Sequence, residues 1–288
     1  MSVTTSPWTS RFVTIDGLQV HYLEAGPSEA ESVVLLHSGE YGASAEFSWE
    51  QNIAALAKEF HVIAPDMIGY GHSAKVFDFG DPLGFRIRTV RRFCEEMHIA
   101  QAQFMGNSMG GTLMCDVASQ DDVVWPMRTM VLVSGGGNPL ENEYRTFIQR
   151  YDGSFENMDA HTALTFTRRW YDDEYIARRV EMSKVAGAWE CVAAARFRAP
   201  FRERRSEFGI FRQIRYENIR IPTVLFAGGA DKFREPGYEK ELAKRIPNFE
   251  CHVFPEAGHM RHIEFAEHFN ALALGFLNRH RITCGEGT

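Results

Sequence analysis

A chain of 288 residues with 44% hydrophobic and 24% charged residues has an ordinary globular composition, long enough to bury a large core, which excludes extended disorder. Its formal net charge of -7 gives the chain as a whole no electrostatic reason to approach nucleic acid or an anionic membrane surface. Five widely spaced cysteines (94, 115, 191, 251 and 284) with no CxxC pair argue against a disulfide framework or zinc site and fit a reducing compartment.

The opening MSVTTSPWTSRF lacks a basic region followed by an apolar core, and no apolar run is long enough to span a bilayer. The expectation is a soluble cytoplasmic protein with a small-molecule ligand, and no nucleic-acid or membrane partner. In RFVTIDGLQVHYLEAG, two alternating segments joined by Asp16-Gly17 predict a hairpin. SVVLLHSG (32–39) and FHVIAPD (60–66) predict strands, separated by a helix over SWEQNIAALAKEF. QAQFMGN predicts a strand, MGGTLMCDVAS a helix and MRTMVLVSGGG a further strand. Beyond residue 220 follow the strand PTVLFAGG, a helix near GYEKELAKRI, the strand ECHVFP and a last helix through FAEHFNALALGFLNRH.

Strands alternating with helices imply parallel pairing, because parallel neighbours need a long crossover. The fold class is therefore α/β, with an antiparallel hairpin at its start. Between 138 and 215 the alternation stops and consecutive amphipathic helices follow, so residues 1–137 and 216–288 are expected to form one core carrying 138–215 as an insertion. Thirteen arginines lie between Arg145 and Arg215, interleaved with Glu and Asp. They read either as an ion-paired surface or as a region that meets an anionic ligand. Phe147, Phe166, Trp170 and Trp189 are the insertion's candidates for covering a pocket, or for core.

Gly106-Asn107-Ser108-Met109-Gly110 matches G-x-S-x-G between a predicted strand and a predicted helix, the context that gives the pattern its meaning. A strand that turns sharply into a helix exposes the serine at the carboxyl edge of the sheet, where open α/β sheets bind ligands. Serine is a weak nucleophile at neutral pH and needs a base, which needs an orienting acid. In this architecture acid and base follow the serine, each after a later strand. Asp231 and His259 stand there. Asp231 as a helix cap, Glu235 as the acid and His262, expected inside the last helix, as the base are the alternatives. A zinc reading of His259, His262 and His268 lacks an HExxH motif. His37 precedes the serine and reads as a structural loop histidine. The two N–H groups for an oxyanion are expected from Met109, at a helix start, and from Gly39 or Glu40 in HSGEYGAS.

HSG after a strand, D-M-I-G-Y-G-H-S at 66–73, the serine turn, G-G-A-D at 228–231 and A-G-H at 257–259 together resemble the α/β-hydrolase fold. The resemblance implies a mostly parallel eight-stranded sheet with 138–215 as a helical cap. Within that fold, GNSMGG, the segment R-R-V-E-M-S at 178–183 and Asp231-Lys232-Phe233 resemble the meta-cleavage product hydrolases, which split a carbon–carbon bond in 2-hydroxy-6-oxo-dienoates from aromatic ring fission. The resemblance implies Ser108, Asp231 and His259 in catalysis, and Arg179 with Asn107 holding the dienoate. Phe233 and Met260 would line the pocket, no cofactor or metal is implied, and self-association is implied by likeness only. Met260 stands where the family has tryptophan, and HSGEYGAS replaces its glycine-rich oxyanion loop. For Arg179 the competing reading is a surface ion pair with Glu181 or Asp173. The competing functions are a carboxylesterase or lactonase with the same triad, and a slow ligand-binding homologue.

Overall fold

The computed structural model describes residues 6–137, 139–197 and 214–282. Cys284 and the arginines at 198, 202, 204, 205 and 212 lie outside the described residues, as does part of the 138–215 segment.

Among the described residues eight strands make one sheet: β1 (Thr9–Ile15), β2 (Leu18–Ala25), β3 (Ser32–Leu36), β4 (His61–Pro65), β5 (Ala102–Asn107), β6 (Met127–Val133), β7 (Thr223–Gly228) and β8 (Phe249–Phe254). Their order is β1-β2-β4-β3-β5-β6-β7-β8, antiparallel from β1 through β4 and parallel thereafter. Asp16 and Gly17 both take positive φ, 49° and 81°, as a two-residue hairpin turn requires. The central strands are apolar on both faces because both are covered.

On one face, Val34, Ile63, Phe104, Met130 and Leu225 pack under α3 (Pro82–Glu96) and α4 (Met109–Ala118). On the other, Val33, Leu35, Met105, Val131, Val224 and Phe226 pack under α1 (Ala45–Trp49), α2 (Ile53–Leu56) and the last helix. The single helix expected over 48–60 is thus broken in two. At the break, the buried Asn52 donates its amide to His262 O at 2.7 Å and Asn270 Oδ1 at 2.8 Å, contacts that a continuous helix would not position. Helix α3 was not anticipated, although Asp81 caps it, Pro82 opens it, and Leu83, Ile87, Val90, Phe93 and Cys94 give it one apolar stripe.

Between β6 and β7 the described residues include four α-helices: α5 (Glu143–Ile148), α6 (Phe155–Thr165), α7 (Asp173–Lys184) and α8 (Ala188–Ala194). Asn142, Ser154 and Asp172 start the first three by accepting backbone N–H groups into their side chains. The chain closes with α9 (Tyr238–Arg245), the short α10 (Arg261–Glu264) and α11 (Ala266–Arg279). Met158, Phe166, Tyr175, Ile176 and Val180 of the insertion form a third apolar cluster with Tyr41, Phe47, Met260 and Ile263 of the core. Asp66, fully buried, ties β2 to β4 and to α1 by accepting from His21 Nδ1 at 2.7 Å, Ala45 N at 2.7 Å and His72 N at 2.8 Å. Among the described residues no helix is long and apolar enough to cross a membrane.

Phe269 of α11 is fully buried, its ring 4.7 Å from that of Phe226 on β7. Phe269→Ala is expected to cost about 3–5 kcal/mol, read as a lower urea midpoint at unchanged m-value.

Candidate active site

Ser108 sits between the end of β5 and the first turn of α4, with φ 49° and ψ -105°, a conformation disfavoured for any residue with a side chain. The reversal brings backbones together so closely that a Cβ on Gly106 would lie 2.5 Å from Gly111 N, and one on Gly110 would lie 2.5 Å from Leu36 O. The two glycines of the motif are thus required by contact, and the serine is raised at the sheet's carboxyl edge.

Ser108 Oγ lies 2.9 Å from His259 Nε2, and His259 Nδ1 lies 2.8 Å from Asp231 Oδ2. With Nδ1–H donating to the carboxylate, Nε2 presents its lone pair to the serine hydroxyl. Asp231 also accepts from Phe233 N into Oδ1 at 2.8 Å and from Ser134 Oγ into Oδ2 at 2.9 Å. Burial alone would raise its carboxyl pKa. The His259 charge and hydrogen bond, then Arg261 and the Phe233 N–H, overcome this and hold it well below the usual carboxylate range. Asp231 does not cap α9, whose N-cap is Gly237, and Glu235 is exposed. His262 lies in α10 rather than in the final helix. It donates from Nε2 to Ser48 O at 2.7 Å, and burial pushes its pKa down to about 3.

Three residues beneath this relay escaped the sequence reading. Ser134, itself at φ 49°, donates to Asp231 and also lies 2.8 Å from His259 O. Arg261 is fully buried, donates Nη2 to Ser134 Oγ, His259 O and Gly258 O, and stands 3.7 Å from Asp231 Oδ2. Arg234 donates Nε to Ser134 O at 2.9 Å. Arginine in the first turn of α10 and in the loop after β7 carries no sequence mark of this role, since only the fold brings the two segments to Ser134.

The loop after β3 reaches the serine turn: a Cβ on Gly39 would lie 2.8 Å from Met109 Sδ. Among the described residues no acceptor takes the N–H groups of Gly39, Glu40 or Met109. His37 anchors this loop. Its Nε2 accepts from Met67 N at 2.8 Å and its Nδ1 donates to Ser38 O at 2.6 Å, while burial lowers its pKa. It acts as a structural brace.

Arg179 on α7 is not a surface residue paired with Glu181 or Asp173. It is 1% exposed, with Nη1 donating to Thr162 Oγ1 at 3.1 Å and Nη2 to Glu40 Oε1 and Tyr41 O, both at 3.3 Å. The Glu40 carboxylate is thereby engaged by a cation. Asn107 is buried at the end of β5, with its amide nitrogen 3.3 Å from Val133 O and its Oδ1 without a partner among the described residues. Phe233 packs edge-on against His259 at 5.2 Å, and Met260 is buried in the third cluster. His161 on α6, unnoticed in the sequence, is fully buried with neither ring nitrogen bonded to a described residue, and burial plus the Arg179 charge push its pKa down to about 3. Of the four aromatics proposed to cover a pocket, Phe166 is buried, Phe147 and Trp170 are half-buried, and Trp189 is 39% exposed and stacked on Tyr41.

The insertion is bonded directly to the histidine loop. Thr165 O, at the end of α6, accepts from His259 N at 2.8 Å. The buried Glu264 accepts from Gly258 N at 3.0 Å on one oxygen and from Thr167 N at 2.8 Å and Arg168 N at 3.0 Å on the other. At the carboxyl edge of the sheet the structure thus joins a serine hydroxyl, an imidazole and a buried carboxylate in one hydrogen-bonded line.

The sequence pattern described as alpha/beta hydrolase fold matches residues 32–266. The 2-hydroxy-6-oxo-6-(2'-aminophenyl)hexa-2,4-dienoic acid hydrolase of Metapseudomonas resinovorans is 29% identical, over 95% of this chain and 92% of its own. The 2-hydroxy-6-oxononadienedioate/2-hydroxy-6-oxononatrienedioate hydrolase of Paraburkholderia phymatum is 28% identical, over 94% and 96%. The structure of the meta-cleavage product hydrolase CumD from Pseudomonas fluorescens IP01, a mutant complexed with acetates, superposes with a TM-score of 0.81 at 25% identity, over 93% of this chain and 97% of that one.

Arg261→Met should lower kcat for a nitrophenyl ester by about 10²-fold, the scale on which misplacement of a catalytic group acts, with little change in KM. A depressed folded-state pKa stabilises the fold above the unfolded value, near 3.9, and that contribution is lost as pH falls further. Asp231→Asn is therefore expected to be less stable than wild type at pH 7, with the gap closing in acid, as followed by urea denaturation at stepped pH.

Proposed function

Since this chain belongs to the α/β-hydrolase fold family, we propose that it is a serine-dependent hydrolase of 2-hydroxy-6-oxo-dienoates, the ring-fission products named in its relatives. The observation that carries this reading is the relay from Ser108 Oγ through His259 to Asp231 Oδ2, at 2.9 and 2.8 Å. Arg179, a buried cation bonded to Glu40 and Tyr41 of the loop after β3, supports an anionic substrate.

In the proposed reaction the dienol is first converted to its keto form by moving the 2-hydroxyl proton to C5. The C5–C6 electron pair can then leave into a conjugated 2-oxo system. His259 accepts a proton from Ser108, or from a water that Ser108 helps to orient, and the freed oxygen attacks the 6-oxo carbon. The oxyanion that forms is held by the N–H groups of Met109 and the Gly39–Glu40 loop. The C5–C6 bond breaks, its electron pair moves through C3–C4 to the 2-oxygen, which takes a proton, and one water is consumed to give a carboxylic acid and a 2-hydroxydienoate. Asp231 stays ionised and stabilises the imidazolium.

Residues 1–137 and 216–288 would serve as the catalytic core, with 138–215 as a cap. The cap's hydrogen bond to His259 N supports that division.

A carboxylesterase or lactonase is the second reading. Glu40 favours it, because a carboxylate already paired with Arg179 leaves the pocket without a net positive charge for a second anion.

The test follows bleaching of a yellow dienoate alongside hydrolysis of an uncharged nitrophenyl ester. Wild type should consume both and Ser108→Ala neither. Arg179→Ala should raise KM for the dienoate by about 30-fold or more, as expected for losing one partner of a buried charge pair, relative to any change with the ester. Ester turnover with several dienoates untouched would leave the second reading standing.

A further inference from the structure

Arg179 is held on only part of its donor set. The guanidinium offers two edges, and on the edge shared by Nε and Nη2 only Nη2 is engaged, by Glu40 Oε1 and Tyr41 O at 3.3 Å each. Nε has no partner among the described residues and is buried. The contact with Glu40 is therefore single and long, where a carboxylate on that edge would ordinarily take both N–H groups at 2.7–2.9 Å. The side chain of Glu40 is 12% exposed against 1% for Arg179, so the acid has a way toward solvent that the base lacks.

The charges add to the same picture. Arg179 contributes one positive charge and Glu40 one negative, while His161, kept neutral by burial and by Arg179, contributes none. A substrate carboxylate entering beside an intact Arg179–Glu40 pair would bring an unbalanced negative charge into a buried site, which is unfavourable. With Glu40 gone from Nη2, the same carboxylate meets a complete Nε/Nη2 edge and one uncompensated positive charge.

We propose that Glu40 is a resident counter-ion of Arg179 which the carboxylate of the substrate displaces, and that this exchange sets how strongly the site discriminates anionic from uncharged ligands. The inference rests on the proposed use of Arg179 as the carboxylate's partner. It adds Glu40 as a specificity-determining residue, acting through Arg179 and apart from the N–H that its backbone offers. Retaining an acid there weakens binding of a carboxylate at Arg179, including that of the 2-hydroxydienoate product, and so favours product release.

The experiment compares wild type, Glu40→Gln, Glu40→Ala, Arg179→Ala and Glu40→Gln/Arg179→Ala. Two ratios are read: KM for the nitrophenyl ester over KM for the dienoate, and KM for the ester over the inhibition constant of benzoate against ester hydrolysis. Both ratios are expected to rise about tenfold in Glu40→Gln, the order of one charge-assisted hydrogen bond. Glu40→Ala should move them the same way, and neither should rise when Arg179 is already alanine. Ratios that stay level or fall in both single Glu40 variants, or that rise equally without Arg179, overturn the proposal. Tighter benzoate without dienoate turnover would sink the carbon–carbon reading and leave the exchange standing. Ester turnover in each variant reports that the serine turn has folded.

Discussion

Everything at the edge of this sheet depends on one backbone reversal. Ser108 is held at φ 49°, a strained conformation for a residue with a Cβ, and the surrounding contacts determine it from three sides. Gly110 touches Leu36 of β3, Gly106 touches α4, and Ser108 N donates to Val133 O of β6. A strand that turns there cannot bury its serine, so the hydroxyl is presented to whatever later loops deliver. The same reversal starts α4 at Met109, whose N–H has no acceptor among the described residues.

The second organising feature is a buried acid held ionised by its neighbours. Asp231 would be protonated more readily in an apolar pocket, yet four groups oppose that: His259, Ser134 Oγ, the Phe233 N–H and, at 3.7 Å, Arg261. Arg261 in turn lies fully buried and is compensated by carbonyls of the histidine loop as well as by the acid. The His259 ring is thus fixed in direction by groups beneath it, and its backbone N–H is held by Thr165 O of the insertion. Core and insertion meet at His259, and again where Glu264 accepts from Thr167 N and Arg168 N.

Strands and the serine turn were legible because they depend on local physics. Alternation or an apolar run marks each of the eight strands, Asp16-Gly17 marks the hairpin, and glycines around Ser108 mark a tight turn whatever surrounds it. Asp231 and His259 were legible for a topological reason: in a sheet wound this way, loops after β7 and β8 end beside the loop after β5. The helix α3 is equally legible in its cap, proline and apolar stripe. The break between α1 and α2 was not, because Asn52 finds its partners more than 200 residues away.

By itself, then, the amino-acid order determined the α/β winding, the strained serine and the succession of acid and base, all set by short-range sterics and by strand order. Only the tertiary structure decided what surrounds them. Arg179 could equally sit on a helix surface by its sequence, and burial beside Glu40 makes it an internal cation. Ser134, Arg234, Arg261 and His161 acquire their places only when distant segments meet, since ion pairing and desolvation depend on distance and burial rather than on neighbours in the chain.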